Sequence, residues 1–177
     1  MFKIMIVDDE LLAIEDLRTL IPWDQHGFDI VATATNGKKA LELYERSKPN
    51  LIILDVRMPV MDGIEFLNEL HHSLDQRHVF VILLTAYKDF AYAQKAIEFR
   101  VMSYLLKHMI DESSLLHEVL KERSEWLRTL EQNRMIQSKM IADFIDGHSA
   151  VERNGVLRLP FAFSKIGFIV LQEDRPY

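Results

Sequence analysis

Hydrophobic and polar residues follow two rhythms along the first two-thirds of the chain. Short apolar runs, several rich in β-branched residues, lie at 3–7, 29–33, 51–54, 79–84 and 103–106 and predict strands. Between them, apolar residues recur at helical spacing over 11–21, 37–47, 63–71 and 90–99, and a longer helical pattern starts near 112. Five strand-then-helix repeats predict an α/β fold: a five-stranded parallel sheet with helices on both faces, because parallel strands need crossover connections. The runs "LIIL" and "FVILL" are apolar throughout, as strands covered on both faces must be.

The last helical pattern does not stop where a packed fifth helix should. Leu116, Leu120, Arg123, Leu127, Leu130, Arg134, Gln137, Ile141 and Phe144 follow a four-three spacing, and six of these nine are apolar. The spacing suits an imperfect coiled-coil seam better than a core face, although a solvated helix with scattered apolar residues is the plainer alternative. Gly147 offers a stop. Beyond it, "VLRLPFAFSKIGFIVLQED" reads as the opening strands of a further domain that one strand pair cannot stabilise alone. The expected organisation is a first domain over 1–121, a helical linker over 112–147, and the start of an incomplete domain over 148–177. Such a chain is expected to be part of a longer protein, or to carry a tail that leans on the helix or on a partner.

Composition narrows the function. With 177 residues and 49% hydrophobic positions, the chain can bury a full core. Its 21 basic and 27 acidic residues give a formal charge of -6, which argues against a nucleic-acid surface spread over this polypeptide. The absence of cysteine excludes disulfides, thiolate metal sites and cysteine nucleophiles. No apolar stretch reaches the roughly 18 residues of a spanning helix, and no signal peptide is evident, so a cytoplasmic protein without membrane contact is expected.

One short stretch is costly on its face. "VDDE" places acids directly after the first strand, and "LIILDVRMP" places Asp55 after the third. In a doubly wound sheet ligands sit beyond the carboxyl ends of the strands, where the strand order reverses. With the flavodoxin-like order 2-1-3-4-5 these two strands are neighbours, so Asp8, Asp9 and Asp55 meet. Two carboxylates about 4 Å apart repel by roughly 4 kcal/mol at an effective dielectric of about 20, so the cluster needs a cation or a raised pKa. An all-oxygen, partly hydrated site suits Mg2+. Thr85 and Lys107 should lie at the same end, after the fourth and fifth strands. Hydroxyl, ammonium and metal around one carboxylate form a set suited to phosphoryl transfer, with Asp55 as nucleophile. Taken singly, each has a plainer role: Asp8 or Asp9 as an N-cap, Thr85 as a cap of the fourth helix, Lys107 as a surface lysine.

"VDDE", "LDVRMPVMDG", "LTA" and "YLLK", with Thr85 and Lys107 at the family's spacing, resemble the receiver domain of two-component response regulators over about 1–121. The resemblance implies that Asp55 accepts phosphate from a histidine kinase. It implies that Asp8, Asp9, Asp55 and the main-chain carbonyl of Arg57 hold Mg2+, and that Thr85 and Lys107 bind the phosphoryl oxygens. On activation Thr85 would move toward the phosphate and Tyr104 swing inward. The face of the fourth helix, fifth strand and fifth helix would then pair two copies, a shift between two packings. A receiver is expected not to be an enzyme, with slow self-dephosphorylation as its only catalysis; Arg57 and Tyr87 fall where the family tunes attack by water, and both are bulky, which predicts a long-lived phosphoryl group. The spacing of "PWDQHGFDIVATATNGKKALEL" and "TAYKDFAYAQKAI" is most similar to receivers that precede AraC-type helix-turn-helix domains. Transcription control through DNA binding would then belong to an output domain absent here.

The chain departs from the family in two places. His108 follows Lys107 where the family has a proline joined by a cis bond. A cis bond to a non-proline costs about 3 kcal/mol, so the "KHM" loop is expected to be trans and Lys107 displaced. Arg100 stands where a glycine is common. His108 and the pair His71 and His72 lack zinc spacing and read as surface residues. Two other functions compete. One is a degenerate receiver that dimerises through 112–147 whatever its phosphorylation. The other is a haloacid-dehalogenase-type Mg2+-dependent phosphatase, which would need an Asp-x-Asp pattern that "VDDE" lacks.

Overall fold

A computed structural model of the chain describes residues 1–72, 79–86, 90–99, 101, 103–145, 152–153 and 156–157. It divides into two compact units, Met1–Thr129 and Leu130–Tyr177. In the first, β1 (Phe2–Val7), α1 (Leu11–Leu20), β2 (Phe28–Ala34), α2 (Gly37–Ser47), β3 (Leu51–Asp55), α3 (Gly63–His72), β4 (Phe80–Thr85), α4 (Phe90–Glu98) and β5 (Ser103–Leu106) alternate as expected. The five strands form one parallel sheet in the order β2-β1-β3-β4-β5. α5 runs from Glu112 to Ile145.

Side-chain alternation divides the sheet into two apolar faces. Ile4, Ile6, Leu51, Ile53, Ile82 and Leu84 join Ile14, Leu17, Leu115 and Val119 on the α1 and α5 side. Met5, Val7, Ile52, Leu54, Val81 and Leu83 join Ala40, Tyr44, Phe66 and Ala96 on the side of α2, α3 and α4. Ile52, Ile53 and Leu54 have no exposed surface, and each such burial contributes about 1.5–3 kcal/mol. Asn50 fixes the register at the start of β3. It exchanges hydrogen bonds with Lys3 at 2.8 Å through its backbone N–H and side-chain Oδ1, and its carbonyl accepts from Phe80 N–H at 2.9 Å.

Local signals explain where the helices begin. Asn36 caps α2 by accepting from Lys39 N–H at 2.9 Å. Asp62 and Glu65 form a reciprocal capping box at α3, at 2.8 and 3.0 Å. Asp111 accepts from Ser114 N–H at 2.7 Å before α5, and its bonds with Ser114 and Ser113 hold its carboxyl below the usual range.

The seam expected along α5 is used differently in its first half. Leu116 and Leu120 pack against the core on the α1 side. Arg123 donates to the His26 carbonyl at 2.7 Å and lies 4.9 Å from the Phe28 ring centre. Leu127 and Leu130 are 47% and 45% exposed. The side chains of Gln137, Ile141 and Phe144 lie outside the described residues, as do Arg100, Gly147 and the strands expected near 161–171. Within the second unit, β6 (Glu152–Arg153) and β7 (Val156–Leu157) pair antiparallel.

Candidate functional site

The register brings the expected acids together at one end of the sheet. Val7 pairs with Leu54, so Asp8, one residue beyond β1, lies beside Asp55, the last residue of β3. One carboxylate oxygen from each of Asp8, Asp9 and Asp55 lies within 4.8 Å of the others. Asp8 and Asp55 are buried and Asp9 is exposed. Neither Asp8 nor Asp9 caps α1: the N-cap is Glu10, without a side-chain bond. Asp8 instead uses Oδ1 to accept from Glu10 N–H at 3.0 Å, while Asp55 Oδ1 accepts from Val56 N–H at 2.8 Å.

Lys107 reaches this cluster, contrary to the expectation that it would be displaced. Its Nζ lies 2.7 Å from Asp8 Oδ2 and 3.2 Å from Asp55 Oδ2. No cis peptide bond occurs among the described residues. A short 3-10 turn over Lys107–Met109, closed by Ile110 N–H on the Lys107 carbonyl at 3.4 Å, aims the side chain with the trans bond in place. His108, His71 and His72 are exposed.

The electrostatics match the crowding. Burial pushes the Asp55 carboxyl up to about 6; Lys107 opposes that shift and Asp8 adds to it. Burial alone would lower Lys107, but its bonds and charge contacts with Asp8 and Asp55 outweigh burial and raise it. A lysine ammonium thus stands where a cation is needed, and the donor set of three carboxylates fits a hard divalent ion. Thr85 is the last residue of β4, buried, opposite Leu106 in the register. Tyr104 is half-buried against the core on the α4 side. Arg57 is exposed, with its guanidinium carbon 5.8 Å from the Tyr92 ring centre. Tyr87 lies outside the described residues. Beside the acids, a cleft of about 440 Å³ opens against α1, lined by Asp8, Lys107, Asp16, Leu20 and Ile110 among others.

The loop between β3 and α3 carries features that sequence patterns did not single out. Met61 N–H donates to the Pro59 carbonyl at 2.8 Å around Val60, whose φ of 72° is unusual for a β-branched residue. Gly63 N–H donates to the Val56 carbonyl at 2.9 Å, and a Cβ on Gly63 would collide with the Asp55 carbonyl. The Asp-Gly pair and the Asp62–Glu65 spacing were the available signals.

Residues 4–120 match the response regulator receiver domain. The chain belongs to this family. As a receiver domain of a response regulator, it is part of a two-component system. The chain is 38% identical over 146 residues to the transcriptional regulatory protein HptR of Staphylococcus aureus, covering 82% of this chain and 54% of that relative. It thus spans about half the length of the curated relatives it matches. Among solved structures, the REC domain of AraT, a response regulator from Geobacillus stearothermophilus, superposes with a TM-score of 0.64. That domain is 34% identical, over 75% of this chain and 98% of the other. A DNA-binding response regulator of the LuxR family from Staphylococcus aureus gives a TM-score of 0.60 at 31% identity, over 69% of this chain and 98% of the other. Among the described residues of the receiver chain, no helix is long and apolar enough to cross a membrane.

Proposed function

We propose that Asp55 is the phosphoacceptor of this receiver, taking a phosphoryl group from the phosphohistidine of a histidine kinase. The observation that carries the reading is the convergence of Asp8, Asp9 and Asp55 within 4.8 Å, with Lys107 in contact with two of them. An Asp55 carboxylate oxygen forms the new bond to phosphorus while the phosphorus–nitrogen bond to the imidazole breaks, its electron pair leaving on the nitrogen. A Mg2+ ion held by Asp8, Asp9, Asp55 and the Arg57 main-chain carbonyl would neutralise charge on the transferred group. The Lys107 ammonium and Thr85 hydroxyl then bind phosphoryl oxygens, and Tyr104 follows Thr85 as the two packings exchange. Arg57 and Tyr87 occupy the sequence positions that tune attack by water in this family, and the bulk of both residue types supports a long-lived acyl phosphate.

Phosphorylation in this reading controls dimerisation through the face of α4, β5 and α5, and through it a DNA-binding output domain outside this sequence. The receiver would act in the cytoplasm. The domain limits 1–121, 112–147 and 148–177 go with this reading. Incubation with acetyl phosphate and Mg2+ should add the mass of one phosphoryl group to the wild-type chain and none to Asp55→Asn. An unmodified wild-type chain would leave the second reading, a degenerate receiver held dimeric by its long helix, which the exposure of Leu127 and Leu130 favours. Equal dimer affinity with and without an aspartyl-phosphate mimic would support that second reading.

A further inference from the structure

We infer that Gly37 is a positioning residue for the loop that carries the Arg57 carbonyl, acting through the main chain of Met61; this rests on the metal site proposed above. Gly37 N–H, in the first turn of α2, donates to the Met61 carbonyl at 3.0 Å. A Cβ on Gly37 would lie 2.6 Å from Met61 Cγ and 2.9 Å from both the Met61 carbonyl oxygen and Sδ. The backbone at Gly37 does not have the positive φ that favours glycine; the demand for glycine is one of space. One of these contacts is to an atom that cannot swing aside, and the shortest is to one that moves only if the side chain repacks. The carbonyl is main chain, and Cγ is near the root of a side chain packed on the α2, α3 and α4 core.

The loop depends on this support. It leaves β3 at Val56, passes Arg57, turns at Val60 with its unusual φ of 72°, and returns at Gly63 to the Val56 carbonyl. Its own hydrogen bonds close it, and Val56 N–H ties its start to β4 by donating to the Leu84 carbonyl at 3.2 Å. Strained turns persist where their surroundings over-determine them, and α2 supplies the external contact on the Met61 side. Asn36, one residue before Gly37, is fixed by the cap to Lys39 N–H, so the donor at Gly37 is rigidly presented. A methyl group at position 37 would push the Met61 peptide outward, and the Arg57 carbonyl with it, while Asp8, Asp9 and Asp55 stay where the sheet holds them.

The test uses Mn2+ as the probe, followed by the paramagnetic resonance signal of the free ion, on the full chain at neutral pH. Gly37→Ala should weaken Mn2+ binding about tenfold, the lower end of what outer-shell supports usually contribute. Met61→Ala, which keeps the carbonyl, should bind within about twofold of wild type on the same scale. Ala40→Gly, which loosens α2 while leaving the Gly37 N–H and the Met61 carbonyl in place, should lower unfolding stability and leave Mn2+ affinity unchanged. Equal affinity of Gly37→Ala and wild type overturns the inference, as does an affinity loss in Ala40→Gly matching that of Gly37→Ala. A wild-type chain that binds no Mn2+ overturns the metal site and this inference with it.

Discussion

Replacing Asp55 by asparagine should stabilise the metal-free receiver, by an amount that depends on pH in a defined way. Asp55 is only 6% exposed, and burial raises its carboxyl from 3.8 to about 6. That difference corresponds to about 3 kcal/mol, at about 1.36 kcal/mol per pH unit. The sign follows from proton binding. Below about pH 4 the group is protonated in both the native and the unfolded chain, and no penalty exists. As pH rises from about 4 to 6, the unfolded chain gives up a proton that the native chain retains, so stability falls. Above about 6 both states are ionised and the full loss persists. The carboxamide of the variant carries no such charge. The stability of Asp55→Asn minus that of wild type should therefore grow by about 3 kcal/mol between pH 3 and 7. The assay is urea unfolding in the presence of chelator, followed by far-ultraviolet circular dichroism at several pH values. Loss of the Lys107 contact at position 55 adds an offset, so the slope with pH is the diagnostic quantity. Saturating Mg2+ should close the gap, since a ligand at a hundred times its Kd adds about 2.7 kcal/mol to the native state. A difference that is flat across the range would refute the claim that buried charge at position 55 destabilises the empty site.

Glu122 has no exposed surface, and among the described residues neither carboxylate oxygen has a hydrogen-bond partner; burial raises its carboxyl. Glu122→Met should stabilise by about 1–3 kcal/mol at pH 7 and by less near pH 4, where the native acid is protonated, as read by denaturant midpoints. Arg123→Ala loses the bond to the His26 carbonyl and the contact with Phe28. It should cost about 2 kcal/mol in thermal or urea unfolding, and an unchanged midpoint would count against that contact. Lys107→Met removes the ammonium that competes with an ion for Asp8 and Asp55. Titration calorimetry should show tighter Mg2+ binding, while acetyl phosphate modifies the variant more slowly than wild type.

The fold was legible because the sheet is covered on both faces, so its strands show as apolar runs rather than as ambiguous alternation. The acids were legible because polar residues at the ends of such runs stand out. Details failed where tertiary contacts decide. Thr85 and Asp55 were expected just past their strands and instead end them, since Asp55 pairs with Leu84 and Thr85 with Leu106. Lys107 was expected to be displaced, because no one-dimensional pattern shows that a 3-10 turn can aim it with a trans bond. The four-three spacing along α5 could not tell which leucines its own core would claim; Leu116 and Leu120 are taken, and Leu127 is left. Gly37 and Gly63 carry their meaning in what a methyl group would strike, and sequence spacing does not encode such distances. Glu122 sits at a core position of α5 where charge is unexpected, and periodicity alone assigned it no burial.

The two indoles have a practical consequence for anyone studying this receiver. Trp126 stacks edge-on against Phe2 at 5.4 Å, and Trp23 against Phe28 at 6.0 Å. Both rings therefore stand at the amino ends of the strands, about 20 Å from Asp8 at a rise of about 3.3 Å per residue over β1. Intrinsic fluorescence will faithfully track denaturation yet stay dark to events at the acids. A silent titration by that method is the expected reading even when an ion binds, so a separate reporter has to be installed near the carboxyl ends.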